Sequence, residues 1–297
     1  MPRLAQSLIA FERFIAGVKR NVIQVDDHRV VYSEGGRGSE TVLLLHGFGA
    51  SGDGWNHLAA KLTRKYRVIA PDLPGWGAST RIESASYGYP SQLQRLHSLV
   101  QELKLDRFHL VGHSMGGFLA SAYAAQFPEK VLTLGLVCPH GMEEPQPSDL
   151  ARSVEKGDNW LVVTSREGFD RLLNNLFVKR PYIPGAVIKY LGQLAIRNSA
   201  KSLQIFEELQ HNQPPLIARL PQIQAPALIV WGDQDRVIDV SCAELFAKGI
   251  ERSAVVVIPG CGHMPLTEKL KSWTKLYLAF LENRQLPAEQ EVRRASA

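Results

Sequence analysis

Several loop residues of this chain have the types and spacing that acyl-transfer chemistry needs. Gly112-His113-Ser114-Met115-Gly116 reads G-x-S-x-G, directly after the apolar run 108–111 and before a helical stretch that Pro128 stops. A sharp strand-to-helix turn of this kind lifts a serine hydroxyl above a sheet, and the helix N-terminus offers N–H groups to a developing negative charge. A serine hydroxyl is a weak nucleophile and needs a base. Of nine histidines, only His263 lies late in the chain, in the glycine-rich Pro259-Gly260-Cys261-Gly262-His263 that follows the apolar run 254–258. His46 reads as a brace for its own loop, His113 as a packed side chain beside the serine, and His140 as a loop residue near a strand end. The base in turn needs an acid to fix its tautomer. Asp233 and Asp235, at the close of the run 227–231, both compete, while Asp239 suits a helix N-cap. An oxyanion needs two backbone donors. The Met115 N–H supplies one, and Phe48 in the loop His46-Gly47-Phe48-Gly49 supplies the other, because glycines there permit close backbone approach. Asp72, in the strand exit 71–77, reads as a structural cap.

The elements that must hold these residues alternate. An antiparallel hairpin is expected from 22–25 and 29–33 around Asp26-Asp27, followed by strands at 41–45, 67–70, 108–111, 131–137, 227–231 and 254–258. Helical spacing appears at 55–62, 90–103, from the serine turn to Phe127, at 241–249 and at 266–281. This predicts an α/β fold: a mostly parallel eight-stranded sheet with helices on both faces. Between Cys138 and about residue 215 no strand run occurs. Phe169, Leu172, Leu173, Leu176 and Phe177 recur at i, i+3, i+4, i+7 and i+8. Further stripes begin at Val187 and Leu203. The expected organisation is a core of residues 1–139 and 216–297 carrying a helical insertion at 140–215. The tail from Pro287 reads as loose and solvated. At the other end, Leu4, Leu8, Phe11, Ile15 and Val18 form one apolar stripe, which suits either a helix packed on its own protein or one lying on a membrane surface.

Composition narrows the partners. The 34 basic and 29 acidic residues give a mild +5, with no basic run interleaved with aromatics, which argues against nucleic acid. Three cysteines, Cys138, Cys242 and Cys261, have no metal-type spacing, and an odd number fits no closed disulfide framework. No metal or cofactor is expected, and a reducing, cytoplasmic setting is the simplest expectation. No apolar run approaches the ~18 residues of a membrane span, and Glu12 and Arg13 interrupt the N-terminal stretch where a signal peptide would be apolar.

Together, His46-Gly47-Phe48-Gly49, Asp72-Leu73-Pro74-Gly75, Gly112-His113-Ser114-Met115-Gly116-Gly117, Trp231-Gly232-Asp233-Gln234-Asp235 and Gly262-His263 resemble the α/β-hydrolase superfamily over nearly the whole chain. The resemblance implies the chain order Ser, acid, His, with Asp235 as the acid, three residues after the glycine of the Trp-Gly turn. It also implies Phe48 as the second oxyanion donor. Within the superfamily the chain looks most like the esterase/lipase branch that contains the monoacylglycerol-lipase-like hydrolases, on residues 136–139, 231–240 and 261–263. The helical insertion resembles that branch's lid. The implied activity is hydrolysis of a carboxylic ester with an apolar acyl chain through an acyl-enzyme, with Phe169, Leu172 and Leu176 as candidate acyl-chain contacts. Membrane-bound members carry an N-terminal membrane span, and only the amphipathic stretch stands there in this chain. Carbon–carbon hydrolases of ring-cleavage products share the scaffold, but they usually place Asn before the serine and Trp after the histidine, where this chain has His113 and Met264. Members with an Asp nucleophile are disfavoured by Ser114. A non-catalytic ligand receptor on the same scaffold is the reading from a different class.

Overall fold

A computed structural model describes residues 2–211 and 214–284; the tail expected to be loose from Pro287 lies outside them. Eight strands form one sheet in the order β1-β2-β4-β3-β5-β6-β7-β8. They are β1 (Val18–Val25), β2 (His28–Gly35), β3 (Thr41–Leu45), β4 (Arg67–Pro71), β5 (Phe108–His113), β6 (Val131–Val137), β7 (Ala227–Gly232) and β8 (Ser253–Ile258). β1 and β2 make the expected hairpin, longer than its apolar pattern suggested. β2 meets β4 antiparallel, and every pairing from β4 through β8 is parallel. The central strands β3, β5 and β7 are buried along their whole length. That is why they read as continuous apolar runs rather than alternating ones.

The helices are α1 (Pro2–Ile15), α2 (Asn56–Leu62), α3 (Tyr89–Glu102), α4 (Met115–Gln126), α5 (Asp149–Glu155), α6 (Arg166–Leu176), α7 (Gly185–Arg197), α8 (Ser199–His211), α9 (Cys242–Gly249), α10 (Pro265–Glu268) and α11 (Leu270–Asn283). α5 to α8 all fall between β6 and β7. Three of them follow the expected stripes. α5 does not, because its seven residues bury only Leu150 and show no apolar period. Phe177 lies just past the end of α6 in extended backbone, not on the helix as its spacing implied. The expected single helix 266–281 is broken at Lys269, which separates α10 from α11.

α1 departs most from its pattern. Val18 belongs to β1, and the residues that seat the helix are small, Ala5 and Ala16, against α2, α7 and β1. Arg13 anchors it by donating from Nε to Asp53 at 2.8 Å. The large side chains turn outward: Phe14 is 78% exposed, and Leu4, Phe11 and Ile15 are each more than half exposed. Among the described residues no helix is long and apolar enough to cross a membrane.

Candidate active site

The turn between β5 and α4 is built by exclusion. A side chain at Gly112 would meet the Gly116 carbonyl oxygen at 2.1 Å, and one at Gly116 would meet the Leu45 and His46 carbonyl oxygens at 2.3 and 2.6 Å. Only hydrogen fits at both positions, so the two glycines let α4 start directly on the end of β5. Between them Ser114 sits at φ 54°, ψ −118°, a strained conformation for a residue with a Cβ. Met115 is the first residue of α4, so its N–H has no acceptor within the helix.

The loops after β7 and β8 meet this turn. Asp235 Oδ2 lies 2.7 Å from His263 Nδ1, and both side chains are buried. An ionised carboxylate only accepts, so Nδ1 carries the proton and Nε2 is left free to take one. The second oxygen of Asp235 accepts the Val237 and Ile238 N–H groups at 2.8 and 3.1 Å, which fixes the carboxylate plane. Asp233 instead accepts the Cys261 N–H at 3.1 Å and holds the His263 loop from below. The structure thus separates the two acids that residue types alone left open. Asp239 is not the N-cap of α9; its carboxylate accepts the Ser241 N–H two residues on, at 2.9 Å. Its local hydrogen bond is the one an Asx turn makes.

His113 ties the serine turn to the His263 loop. Its Nε2–H donates to the His263 carbonyl at 2.8 Å, and the two rings lie 4.8 Å apart, centroid to centroid. Burial, assisted by the neighbouring His263, pushes its pKa down to about 3, so the imidazole is neutral. Cys138, buried at the end of β6, brings its sulphur within 4.8 Å of the Asp235 and His263 side-chain ligand atoms. Burial first, then the Asp235 charge, raises the thiol well above its ordinary range, so it stands there as a protonated S–H.

The loop after β3 closes the other side. A side chain at Gly47 would meet His113 Nδ1 at 2.9 Å and Ser114 Cβ at 3.1 Å, so the loop lies directly on the serine turn. His46 Nε2 accepts the Leu73 N–H at 2.9 Å, which leaves Nδ1–H to donate to the Gly47 carbonyl at 2.8 Å. In a trans peptide the carbonyl and the following N–H point opposite ways. Holding the Gly47 oxygen therefore sets the direction of the Phe48 N–H. Burial holds the His46 pKa below its ordinary value, which preserves the acceptor at Nε2. The Phe48 ring packs edge-on against Trp76 at 4.7 Å and against Phe206 of α8 at 6.0 Å.

Asp72, read as a cap, does more. It accepts the Gly52 and Ala78 N–H groups, both at 2.8 Å, and takes Arg20 of β1 in a two-pronged pair at 3.1 and 2.7 Å. Burial opposes its ionisation, but the Arg20 hydrogen bonds and charge outweigh that and hold its carboxyl below the usual range. Nothing local reveals the pair, because its members stand 52 positions apart.

The candidate acyl contacts share one small apolar cluster. Phe169 is buried between α6 and α7, against Gly192. Leu172 and Leu176 are half-buried and pack, with Met264, the residue after His263, against the buried Val163, Phe169, Leu173 and Phe177. The Leu176 carbonyl crosses Gly262 so closely that a side chain there would meet it at 2.5 Å. Glu268 of α10 fastens this junction, accepting N–H groups from Gly262 at 2.9 Å, Val178 at 3.3 Å and Lys179 at 2.5 Å. The insertion and the His263 loop share one carboxylate.

Comparison with known proteins agrees with this architecture. A family model described as the alpha/beta hydrolase fold matches residues 40–270. The chain is 32% identical to Lipase 1 of Psychrobacter immobilis over 279 residues, covering 93% of this chain and 88% of that protein. It is 31% identical to the monoacylglycerol lipase ABHD6 of Bos taurus over 278 residues, covering 89% of this chain and 82% of that protein. Among solved structures, one described as a membrane phospholipase A, a bacterial virulence factor, superposes with a TM-score of 0.93 at 41% identity, over 95% of this chain and 91% of that one. The chain belongs to the α/β-hydrolase fold family, and within it to the lipases and esterases.

Proposed function

We propose that this protein hydrolyses carboxylic esters through a Ser114–Asp235–His263 triad and an acyl-enzyme intermediate. The observation that carries this reading is the 2.7 Å Asp235–His263 contact, buried beside a serine held at positive φ at a helix N-terminus. His263 Nε2 takes the Ser114 Oγ proton as the oxygen attacks the acyl carbonyl. The Phe48 and Met115 N–H groups receive the oxyanion. His263 then gives its proton to the departing alkoxide, and the freed alcohol leaves an ester on Ser114. Water, deprotonated by the same nitrogen, splits that ester to the acid and restores the serine.

The substrate is an ester with an apolar acyl chain, of the monoacylglycerol-lipase-like kind. Residues 140–215 serve as its lid over the core of 1–139 and 216–297. Leu172 and Leu176, at the open edge of the apolar cluster beside Met264, line the chain's path, with Phe169 behind them. The outward apolar face of α1, next to α7 of that lid, rests on a lipid surface and feeds substrate to it. The relatives named for lipase activity support the ester class.

The test is kcat/KM on p-nitrophenyl esters from acetyl to palmitoyl, with Ser114→Ala as control and mass spectrometry of a fluorophosphonate adduct. A serine-dependent optimum at medium or long chains, with the adduct on Ser114, is expected. An optimum at acetyl would remove the apolar-chain part, and no serine-dependent turnover would remove the reading.

A further inference from the structure

One polar group beside Ser114 has no task in that mechanism. His140 follows β6, and its backbone N–H donates to the Ser114 carbonyl at 3.1 Å, so it is physically joined to the serine turn. Its ring is stacked near Tyr89, the first residue of α3, with Nδ1 2.8 Å from the Tyr89 hydroxyl. Tyr89 is itself buried and stacked on Phe118 of α4, at 3.6 Å between centroids. An imidazole nitrogen is a stronger acceptor than a phenol oxygen, and burial raises the Tyr89 pKa far above its ordinary value, so the hydroxyl keeps its proton and donates it. Nδ1 is then the acceptor, and the ring proton sits on Nε2. Nε2 has no protein partner among the described residues, and the residue is half-buried. Burial, and after it the nearby His263, pushes the ring's pKa down to about 4.

A fixed, neutral N–H donor beside the nucleophile fits a neutral acceptor. In an ester substrate the acyl chain carries no such group, and the carbonyl oxygen is directed to Phe48 and Met115. The remaining polar atoms are those of the alcohol part. We propose that Tyr89 and His140 form a polar subsite in which His140 Nε2–H binds a free hydroxyl on the alcohol part of the substrate, so that the pair sets the preference for polyol esters over simple alkyl esters. This rests on the ester-hydrolase reading above. An anionic headgroup gains little there, because the imidazole carries no charge at neutral pH.

The experiment compares kcat/KM for ethyl octanoate, glycerol mono-octanoate and the corresponding glycerol-phosphate ester in the wild type, His140→Phe and Tyr89→Phe. Each preference is a ratio measured on one preparation, so it does not depend on how much of a variant folds. The wild type is expected to prefer the glycerol ester. His140→Phe should lower the glycerol-to-ethyl ratio by about tenfold or more, mainly through KM, because the contact is made before and during reaction. Tyr89→Phe, which keeps the ring and releases Nδ1, should lower it in the same direction by less. Ratios unchanged in both variants would overturn the subsite while leaving the hydrolase standing. So would a wild-type preference for the phosphate ester that His140→Phe abolishes. A wild type that cleaves none of the three esters would overturn the hydrolase reading and the subsite with it.

Discussion

At the scale of single residues, Asp235 illustrates how much depends on which oxygen faces which donor. One oxygen is committed to the Val237 and Ile238 N–H groups and the other to His263. In Asp235→Asn the amide oxygen keeps the two backbone donors, and the NH2 group turns to His263 Nδ1. That forces the ring proton onto Nε2, where it blocks proton abstraction from Ser114. We expect kcat to fall by about 10⁴ with the fold intact, measured by steady-state turnover beside a near-UV spectrum. His46→Leu leaves the Gly47 carbonyl only the longer bond from the Ala50 N–H at 3.3 Å, which loosens the Phe48 N–H proposed as an oxyanion donor. Loss of one oxyanion donor costs about 10²–10³ in kcat, so affinity for a phosphonate transition-state analogue should drop in parallel while KM moves little. Ser114, His263 and the glycines around them were legible in the sequence because steric exclusion leaves a fixed spacing. The choice between Asp233 and Asp235 was not legible from residue types, because both close the same strand. Geometry parts them: Asp233 turns to a backbone amide and Asp235 to the imidazole.

At the scale of elements, two long-range ties matter that no periodicity reports. β1 reaches the loops around the site through Arg20, whose partner Asp72 is wholly buried while Arg20 is about one-fifth exposed. Arg20→Met would strand that carboxylate. A loss of about 3 kcal/mol is expected in urea unfolding, near the lower end for breaking a buried pair because Arg20 is partly solvated. Glu268 is the second tie. In Glu268→Ala the amides of Gly262, Val178 and Lys179 lose one common acceptor, so their hydrogen exchange should accelerate together; acceleration at Gly262 alone would show that the insertion is held by other contacts. The central strands were read almost to the residue because burial on both faces makes them uniformly apolar. The short α5 and the break at Lys269 were not, because one buried leucine and a four-residue helix give no period to detect.

At the scale of the whole molecule, four histidines couple stability to pH: His46, His109 and His113, which are buried, and His140, which is half-buried. Burial holds all four below the ordinary value of about 6.5, His113 to about 3 and His140 to about 4. The unfolded chain therefore binds protons that the native state refuses once the pH falls below about 6.5. Stability is complete above that value and is lost progressively towards the folded pKa values. Urea midpoints should be flat between pH 7 and 8 and decline from about pH 6.5 downward, well before most carboxylates titrate. The α1 surface makes the other global prediction: Phe11→Ser with Phe14→Ser should reduce co-sedimentation with phospholipid vesicles while leaving hydrolysis of a soluble short-chain ester near wild type. The amphipathic stripe of α1 was legible. Which side faced the protein was not, because Ala5 and Ala16, too small to stand out in a pattern, do the seating.

The sheet order carries a consequence for how the molecule is made. β6 and β7 lie side by side, in parallel register from Leu134–Ala227 to Val137–Val230, yet the whole helical insertion is threaded between them. The serine turn belongs to the half of the sheet synthesised first, and Asp235 and His263 to the strands added last. Helices of the insertion can form locally and quickly, whereas this pairing must wait for distant segments to meet. During refolding the helical signal should therefore recover before esterase activity does, and the interval between the two would time the docking of β7 and β8 onto a sheet that already holds Ser114.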